Sequence, residues 1–115
     1  MSHYIKIVYG GIIPADFVES IGEYEIYEQI IEPIINDSCF EKNRFDTCYE
    51  SKDYWIGIPL TDLDEHYLAY PISELEQTVK VNKFETIWNT FRDMFYLKTK
   101  IKLAPGQLIV VHDYD

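Results

Sequence analysis

A chain of 115 residues with 47% hydrophobic and 16% aromatic residues is long enough to bury one core and too apolar to remain disordered. Its 20 acidic and 10 basic residues give a formal net charge of −10, which repels phosphate backbones and anionic lipid and argues against direct binding to nucleic acid or to a membrane surface. With two cysteines and no apolar run near the ~20 residues of a membrane span, we expect neither a disulfide scaffold nor an integral membrane protein.

The negative charge is concentrated in two segments. Residues 1–37 carry seven acids and one base, and residues 61–76 carry five acids and no base. Residues 77–115 carry four acids and six bases. A polarised surface follows if the two acidic segments adjoin in the fold, whereas general solubility is the simpler explanation of the same charge. The first residues lack the basic stretch and apolar run of a signal peptide, so we expect a cytoplasmic protein.

The first predicted element is a strand. Residues 3–9 alternate between two faces and are rich in β-branched and aromatic residues. The pair Gly10-Gly11 follows, and we expect it to end the strand in a turn. This pair lacks the spacing of a phosphate-binding loop, and an acidic segment comes next, so no phosphate site is predicted there.

Residues 15–36 show helical periodicity. The apolar stripe consists of Tyr24, Tyr27, Ile30, Ile31, Ile34 and Ile35, and the opposite face of Glu25, Glu28 and Glu32. We expect Gly22 to separate this helix from a short preceding one with Asp16 as its N-cap. Proline disrupts helices, so Pro33 is expected to kink or end the helix near Glu32.

Two hairpins are predicted in the middle of the chain. The first turns at residues 43–44 and places Cys39 opposite Cys48. In a reducing compartment we expect these to be two free thiols rather than a disulfide. The second hairpin turns at residues 51–52 and leads into a strand over residues 54–58.

The stretch between Pro59 and Pro71 holds the densest group of candidate ligands. We expect Pro59 to end the preceding strand, in which Trp55 is buried. Thr61 is then predicted to cap a helix over residues 61–70. Its early residues include Asp62, Asp64, Glu65 and His66. Because hydroxyl caps and acidic first turns stabilise helix N-termini, we interpret the stretch as a helix start rather than a metal site.

A metal site remains the alternative for this stretch. Asp62 and His66 stand one helical turn apart, and Asp64 lies between them. The spacing matches neither a calcium-binding loop nor the H-E-x-x-H pattern of zinc proteases. No nucleophile motif surrounds Cys39 or Cys48, so the sequence assigns no catalytic residue, no metal and no cofactor.

Two further helices are predicted after residue 72. Ser73 and Asn82 each precede a glutamate by three positions, a capping pattern that predicts helices over residues 73–79 and 82–96. The second helix carries an apolar stripe of Phe84, Ile87, Trp88, Phe91, Met94 and Phe95. This stripe is expected to form core.

The last predicted element is a hairpin. Residues 97–103 alternate apolar side chains with lysines, which predicts a half-buried strand. Residues 104–107 match a type II turn, and residues 107–112 are expected to return as a buried strand. Together these elements predict a single α+β domain with an antiparallel or mixed sheet of four to six strands and helices packed on one face.

Three functions fit these observations. The first is a non-enzymatic binding protein that presents acids and tyrosines to a basic protein, either as an immunity or antitoxin protein or as a phage-type inhibitor that mimics nucleic-acid phosphates. Its predicted contact residues are Glu25, Glu28, Glu32, Tyr24, Tyr27, Asp62, Asp64 and Glu65. The second is a small metal-dependent enzyme or a metal-binding domain that uses Asp62, Asp64 and His66. The third is a small-molecule-binding or oligomeric module, such as a homodimer, in which some of the ten tyrosines line a pocket or an interface.

Overall fold

The computed structural model describes residues 3–37, 40, 45–50, 53–63 and 72–114. The strands are β1 (His3–Ile13), β2 (Asp46–Glu50), β3 (Asp53–Leu63) and β4 (Gln107–Tyr114). The α-helices are α1 (Ala15–Ile21), α2 (Glu23–Ile26), α3 (Glu32–Ile35), α4 (Ile72–Val81) and α5 (Phe84–Thr99). A π-helical turn, Tyr27–Ile31, joins α2 to α3. The predicted α+β class is confirmed.

The strands form one sheet in the order β2-β3-β1-β4, and every described pairing is antiparallel. β2 and β3 pair up to Glu50 and Asp53, as the predicted second hairpin requires. Its turn, residues 51–52, lies outside the described residues. So do Cys39 and the turn at residues 43–44, on which the predicted first hairpin depends.

The main core lies between the helices and one face of the sheet. The buried side chains of α5 are Phe84, Trp88, Phe91 and Phe95. They cluster with alternate strand residues, namely Tyr9, Ile13, Tyr54, Ile56 and Ile58. The predicted aromatic stripe is confirmed, with Ile87 and Met94 partly buried beside it. Trp55 is also buried, as predicted, but in a separate cluster with Val8.

The expectation that Gly10-Gly11 ends the first strand is wrong. β1 runs through both glycines, and Gly10 pairs with Gly57 in β3. A Cβ at Gly10 would overlap the carbonyl oxygen of Ile56, and one at Gly11 would stand 2.8 Å from Cζ2 of Trp88. Both glycines therefore permit close packing, of the neighbouring backbone in one case and of the α5 indole in the other.

The expectation that Pro59 ends a strand and that Thr61 caps a helix is also wrong. β3 continues through residues 61–63, which pair with β1. The register shifts between Val8, which lies opposite Pro59, and Ile7, which lies opposite Thr61. One additional β3 residue is accommodated at this bulge, and a bulge is a position where a sheet tolerates proline.

The strand predicted over residues 97–103 is wrong as well. α5 continues to Thr99, and Lys100 ends it in the left-handed conformation common at helix C-termini, with φ of 63°. Residues 101–106 follow without regular secondary structure. The predicted type II turn is not formed, because Gly106 lacks the positive φ that such a turn requires. Packing of the aromatic stripe outweighs the local alternation.

β4 confirms a strand at residues 107–112 and extends it to residue 114. Of the described strands it pairs only with β1, so it is an edge strand. The expectation that it is fully buried is wrong. Leu108 and Ile109 are partly buried, and Val110 is exposed.

The helices predicted over residues 15–36, 73–79 and 82–96 are confirmed, but their predicted N-caps are not. α1 begins at Ala15, two residues earlier than expected, so Asp16 lies within its first turn. Ser73 is likewise inside α4. The side-chain amide of Asn82 donates to the Thr78 carbonyl oxygen at 2.9 Å and completes the end of α4, while Lys83, in a left-handed conformation, precedes α5.

Candidate acidic docking surface

The helical segment 15–35, here called the acidic arm, carries six acidic residues and no basic residue. They are Asp16, Glu19, Glu23, Glu25, Glu28 and Glu32, and all six side chains are exposed. Within the described part of the chain, none of these carboxylates forms an ion pair. The arm is therefore an uncompensated negative surface, and its electrostatic potential is available to a partner.

Apolar side chains fix the acidic arm to the core. Val18, Ile26, Ile31 and Ile34 are buried in the main cluster. The ring of Phe17 packs edge-on against Phe95, with 5.9 Å between ring centroids. The two parts of the arm meet at Gly22, whose φ of 108° favours glycine. These contacts hold the carboxylates on a firmly packed helical surface.

The apolar stripe predicted for this segment is wrong at its two tyrosines. Tyr24 is 76% exposed and Tyr27 is 36% exposed, while Ile26 is fully buried. The π-helical turn accounts for the difference, because its wider turn allows Ile26 and Ile31, five residues apart, to reach the same core. Both tyrosines are thereby available beside the carboxylates.

Of the two effects expected of Pro33, a kink or an end of the helix near Glu32, the end is not observed. The helical path continues through α3. The change of hydrogen-bonding pattern at the π-helical turn places Pro33 in the first turn of α3, and there a missing N–H removes no helical bond. The same turn thus accommodates the proline and exposes the tyrosines.

Glu25 differs from the other carboxylates of the arm. Its carboxylate lies over Gly22 at the N-terminus of α2. A negative charge is favourable at that end of a helix. Glu25 therefore has a local structural role, whereas Glu28 and Glu32 are exposed without a described partner.

The second predicted acidic segment is only partly described. Asp62 lies in β3 opposite Lys6 of β1, so these two oppositely charged residues are cross-strand neighbours. Seven residues of β1 separate Lys6 from the end where the acidic arm begins, a distance of about 23 Å along the strand. Asp64, Glu65 and His66, and with them the rest of the predicted helix, lie outside the described residues.

The described residues contain no cluster of three or more histidine, cysteine, aspartate or glutamate side chains that could hold a metal. The proposed metal ligands Asp64 and His66 fall outside that search. No described helix is long and apolar enough to cross a membrane.

A cleft of about 380 Å³ lies between α5 and the segment that follows it. Arg92 lines this cleft, donating from Nε to the Leu103 carbonyl oxygen at 2.9 Å and from Nη1 to Oδ1 of Asn89 at 3.0 Å. Asp93 lies beside it in the same cleft. Arg92 thus fastens residues 101–106 to α5, a role for which the sequence holds no local signal.

Comparison of the chain with protein-family models, with curated protein sequences and with solved structures finds no match. The functional argument therefore depends on the geometry of the acidic arm.

Proposed function

We propose that this is a non-enzymatic binding protein whose acidic arm docks on a basic surface of another protein. The observation that carries the proposal is a set of six exposed carboxylates, none of which forms an ion pair among the described residues, next to Tyr24, which is 76% exposed. Uncompensated charge attracts a partner of opposite sign, and an exposed aromatic ring supplies apolar area for a contact.

The two components act at different stages of binding. Exposed carboxylates accelerate the encounter with a basic protein over distances near the Debye length, about 8 Å at physiological salt. Tyrosine is enriched among the residues that dominate binding energy, because its rigid ring fills a pocket while its hydroxyl stays hydrogen-bonded. We therefore assign the association rate mainly to the carboxylates and the lifetime of the complex mainly to Tyr24.

The partner we propose is a toxin, a nuclease or another protein whose basic surface binds nucleic acid. Such surfaces are arrays of lysine and arginine that neutralise phosphates. The carboxylates of Glu28 and Glu32, one helical turn apart on a rigid helix, carry the same negative charge as those phosphates. Docking would block the basic surface, which is the action expected of an immunity protein or of a nucleic-acid mimic.

The proposal is tested with a paired charge reversal and a matched control. Glu28→Lys with Glu32→Lys reverses two carboxylates of the arm and leaves Glu25 in its structural position over Gly22. The control, Glu74→Lys with Glu76→Lys, makes the same change of net charge at two exposed positions of α4. Circular dichroism and thermal unfolding establish that all three proteins are folded.

Association with the partner captured from the source organism is then measured at several salt concentrations. The arm variant is expected to associate at least about tenfold more slowly than wild type and to show a flatter salt dependence. The α4 control should stay close to wild type. Equal rates and equal salt slopes for the two variants would contradict the proposal, because total charge rather than the arm would then govern binding.

A further inference from the structure

The two edge strands of the described sheet differ in their protection against further pairing. β2 is short and carries Asp46 and Glu50 at its ends. β4 is eight residues long, and its first five residues, 107–111, contain no charge and no proline. Its register with β1 runs without a shift from Gln107 to Tyr114. Natural edge strands are usually protected by charges, proline, bulges or short length, and this part of β4 has none of these devices.

The exposed side chain at the centre of β4 is apolar. Val110 is 57% exposed, although it lies directly opposite the buried Ile7 of β1. Leu108, on the same face two residues earlier, is partly buried. The apolar surface of the sheet therefore extends to its outer edge.

The charge distribution favours a second copy of this chain as the occupant of this edge. Two copies carry a combined charge of −20 and repel one another, so they can meet only where acids are sparse. β4 stops opposite Gly10, whereas β1 continues to Ile13 before the acidic arm begins. The acidic arm therefore begins beyond the end of β4, and none of its carboxylates lies on the uncharged edge formed by residues 107–111.

We propose that β4 pairs antiparallel with β4 of a second copy, with Val110 opposite Val110 of that copy, so that the four described strands of each copy join in one continuous sheet. A twofold axis perpendicular to the sheet relates the two copies and keeps the helices of both on the same face of the joint sheet. The axis passes between two identical residues, so one residue of β4 must lie directly opposite the same residue of the second copy. Centred on Val110, this register brings Leu108 opposite His112 and Ile109 opposite Val111. In this register β-branched residues meet at the centre, and no two acids oppose each other, which avoids the destabilising effect of like charges placed directly opposite.

This interface does not depend on the acidic arm, and its salt dependence has the opposite sign. Salt weakens attraction between the arm and a basic partner, but it screens the repulsion between two acidic copies. Self-association through β4 should therefore strengthen as salt concentration rises.

Sedimentation equilibrium over a wide range of protein concentration tests the proposal with two variants. Val110→Lys places two lysines face to face at the proposed axis, whereas Leu97→Lys makes the same change at an α5 position that is 71% exposed. Wild type and Leu97→Lys should form dimers with similar dissociation constants, and Val110→Lys should weaken the dimer at least about tenfold. A wild-type chain that stays monomeric at all concentrations and in high salt would overturn the proposal. A dimer that both substitutions affect equally would do the same.

Chemical cross-linking tests the register itself. Directly opposite residues in an antiparallel pair have Cβ atoms about 4.5–5.5 Å apart, so a short bismaleimide can join cysteines placed there. In a background with Cys39→Ser and Cys48→Ser, Val110→Cys should give a covalent dimer in high yield and Leu97→Cys should not. A dimer in solution that Val110→Cys fails to cross-link would show that another surface holds the two copies together.

Discussion

The substitution Trp88→Ala tests the packing that positions every other element. Trp88 is fully buried and stacks on Phe91, with 5.3 Å between ring centroids. Its indole contacts Gly11 of β1, and its Nε1 donates to the Ala104 carbonyl oxygen at 3.0 Å. One side chain therefore joins α5 to the sheet and to the segment that leads into β4.

The magnitude follows from these contacts. Truncating a buried tryptophan to alanine costs about 3–5 kcal/mol, and the lost hydrogen bond adds roughly 0.5–1.5 kcal/mol. A domain of this size has a total stability of about 5–15 kcal/mol, so the variant should be barely stable or unfolded. Trp88→Phe keeps an aromatic ring but loses the hydrogen bond and part of the volume, and should cost about 1–3 kcal/mol.

Urea denaturation followed by circular dichroism measures both variants against wild type, with Leu97→Ala as the exposed control. The control should stay within about 0.5 kcal/mol of wild type. If Trp88→Ala proves unfolded in water, the midpoint of Trp88→Phe still gives a value. A loss below about 1 kcal/mol for Trp88→Ala, with an unchanged denaturant slope, would refute the packing described for α5.

Two further predictions concern β1. Gly10→Ala should destabilise the protein by more than the about 1–3 kcal/mol typical of an overpacked core, because its Cβ would overlap the Ile56 carbonyl oxygen of the paired strand. Ile12→Ala, at a half-exposed position nearby, should cost much less stability, and thermal unfolding of the two variants tests the difference. Burial, together with the weaker effect of the Glu85 carboxylate, raises the pKa of Tyr9 above its ordinary value of 10.0. As pH rises, the unfolded chain therefore loses the Tyr9 hydroxyl proton before the folded chain does, so the contribution of Tyr9 to stability is complete below pH 10.0 and falls above it. In urea denaturation across this range, the unfolding free energy of Tyr9→Phe should fall less steeply with pH than that of wild type. Equal slopes for the two proteins would contradict this role of Tyr9.

Periodicity predicted the elements whose packing is repetitive. The α5 stripe could be predicted because one face of that helix is buried along most of its length, and burying one helix face requires apolar residues spaced with a period of 3.6. The same reasoning failed just beyond it. The alternation at residues 97–103 is a strong local strand signal, yet Thr99 remains helical and donates its hydroxyl to the Phe95 carbonyl oxygen at 2.8 Å. Tertiary packing decided the boundary.

Glycine and proline were misread because their partners are distant in sequence. Position 10 accommodates only a glycine because the β3 backbone at residues 56 and 57 lies so close to it. Nothing in the sequence near residue 10 indicates that close contact. Pro59 is tolerated because β1 shifts its register there, which is a property of the pair of strands. Local sequence rules therefore predicted a strand end at both positions, although both residues lie within long strands.

The candidate surface was predictable in its charges and less so in its aromatics. Helical spacing placed Glu28 and Glu32 on the face away from the apolar stripe, and both are exposed. Tyr24 was assigned both to the apolar stripe and to the contact surface, and helical spacing alone could not decide between them, because the outcome depends on a π-helical turn that adds a residue between Ile26 and Ile31. Such turns have no reliable sequence signature, but they are frequent at functional sites.

The central claim, that the acidic arm binds a basic protein, is tested most directly by comparative capture. Wild type, the variant with Glu28→Lys and Glu32→Lys, and the control with Glu74→Lys and Glu76→Lys are used as baits in lysate of the source organism, and bound proteins are quantified by mass spectrometry. We predict at least one basic protein that wild type and the α4 control retain equally and that the arm variant loses. Identical sets of proteins on all three baits, or equal losses for both variants, would contradict the claim.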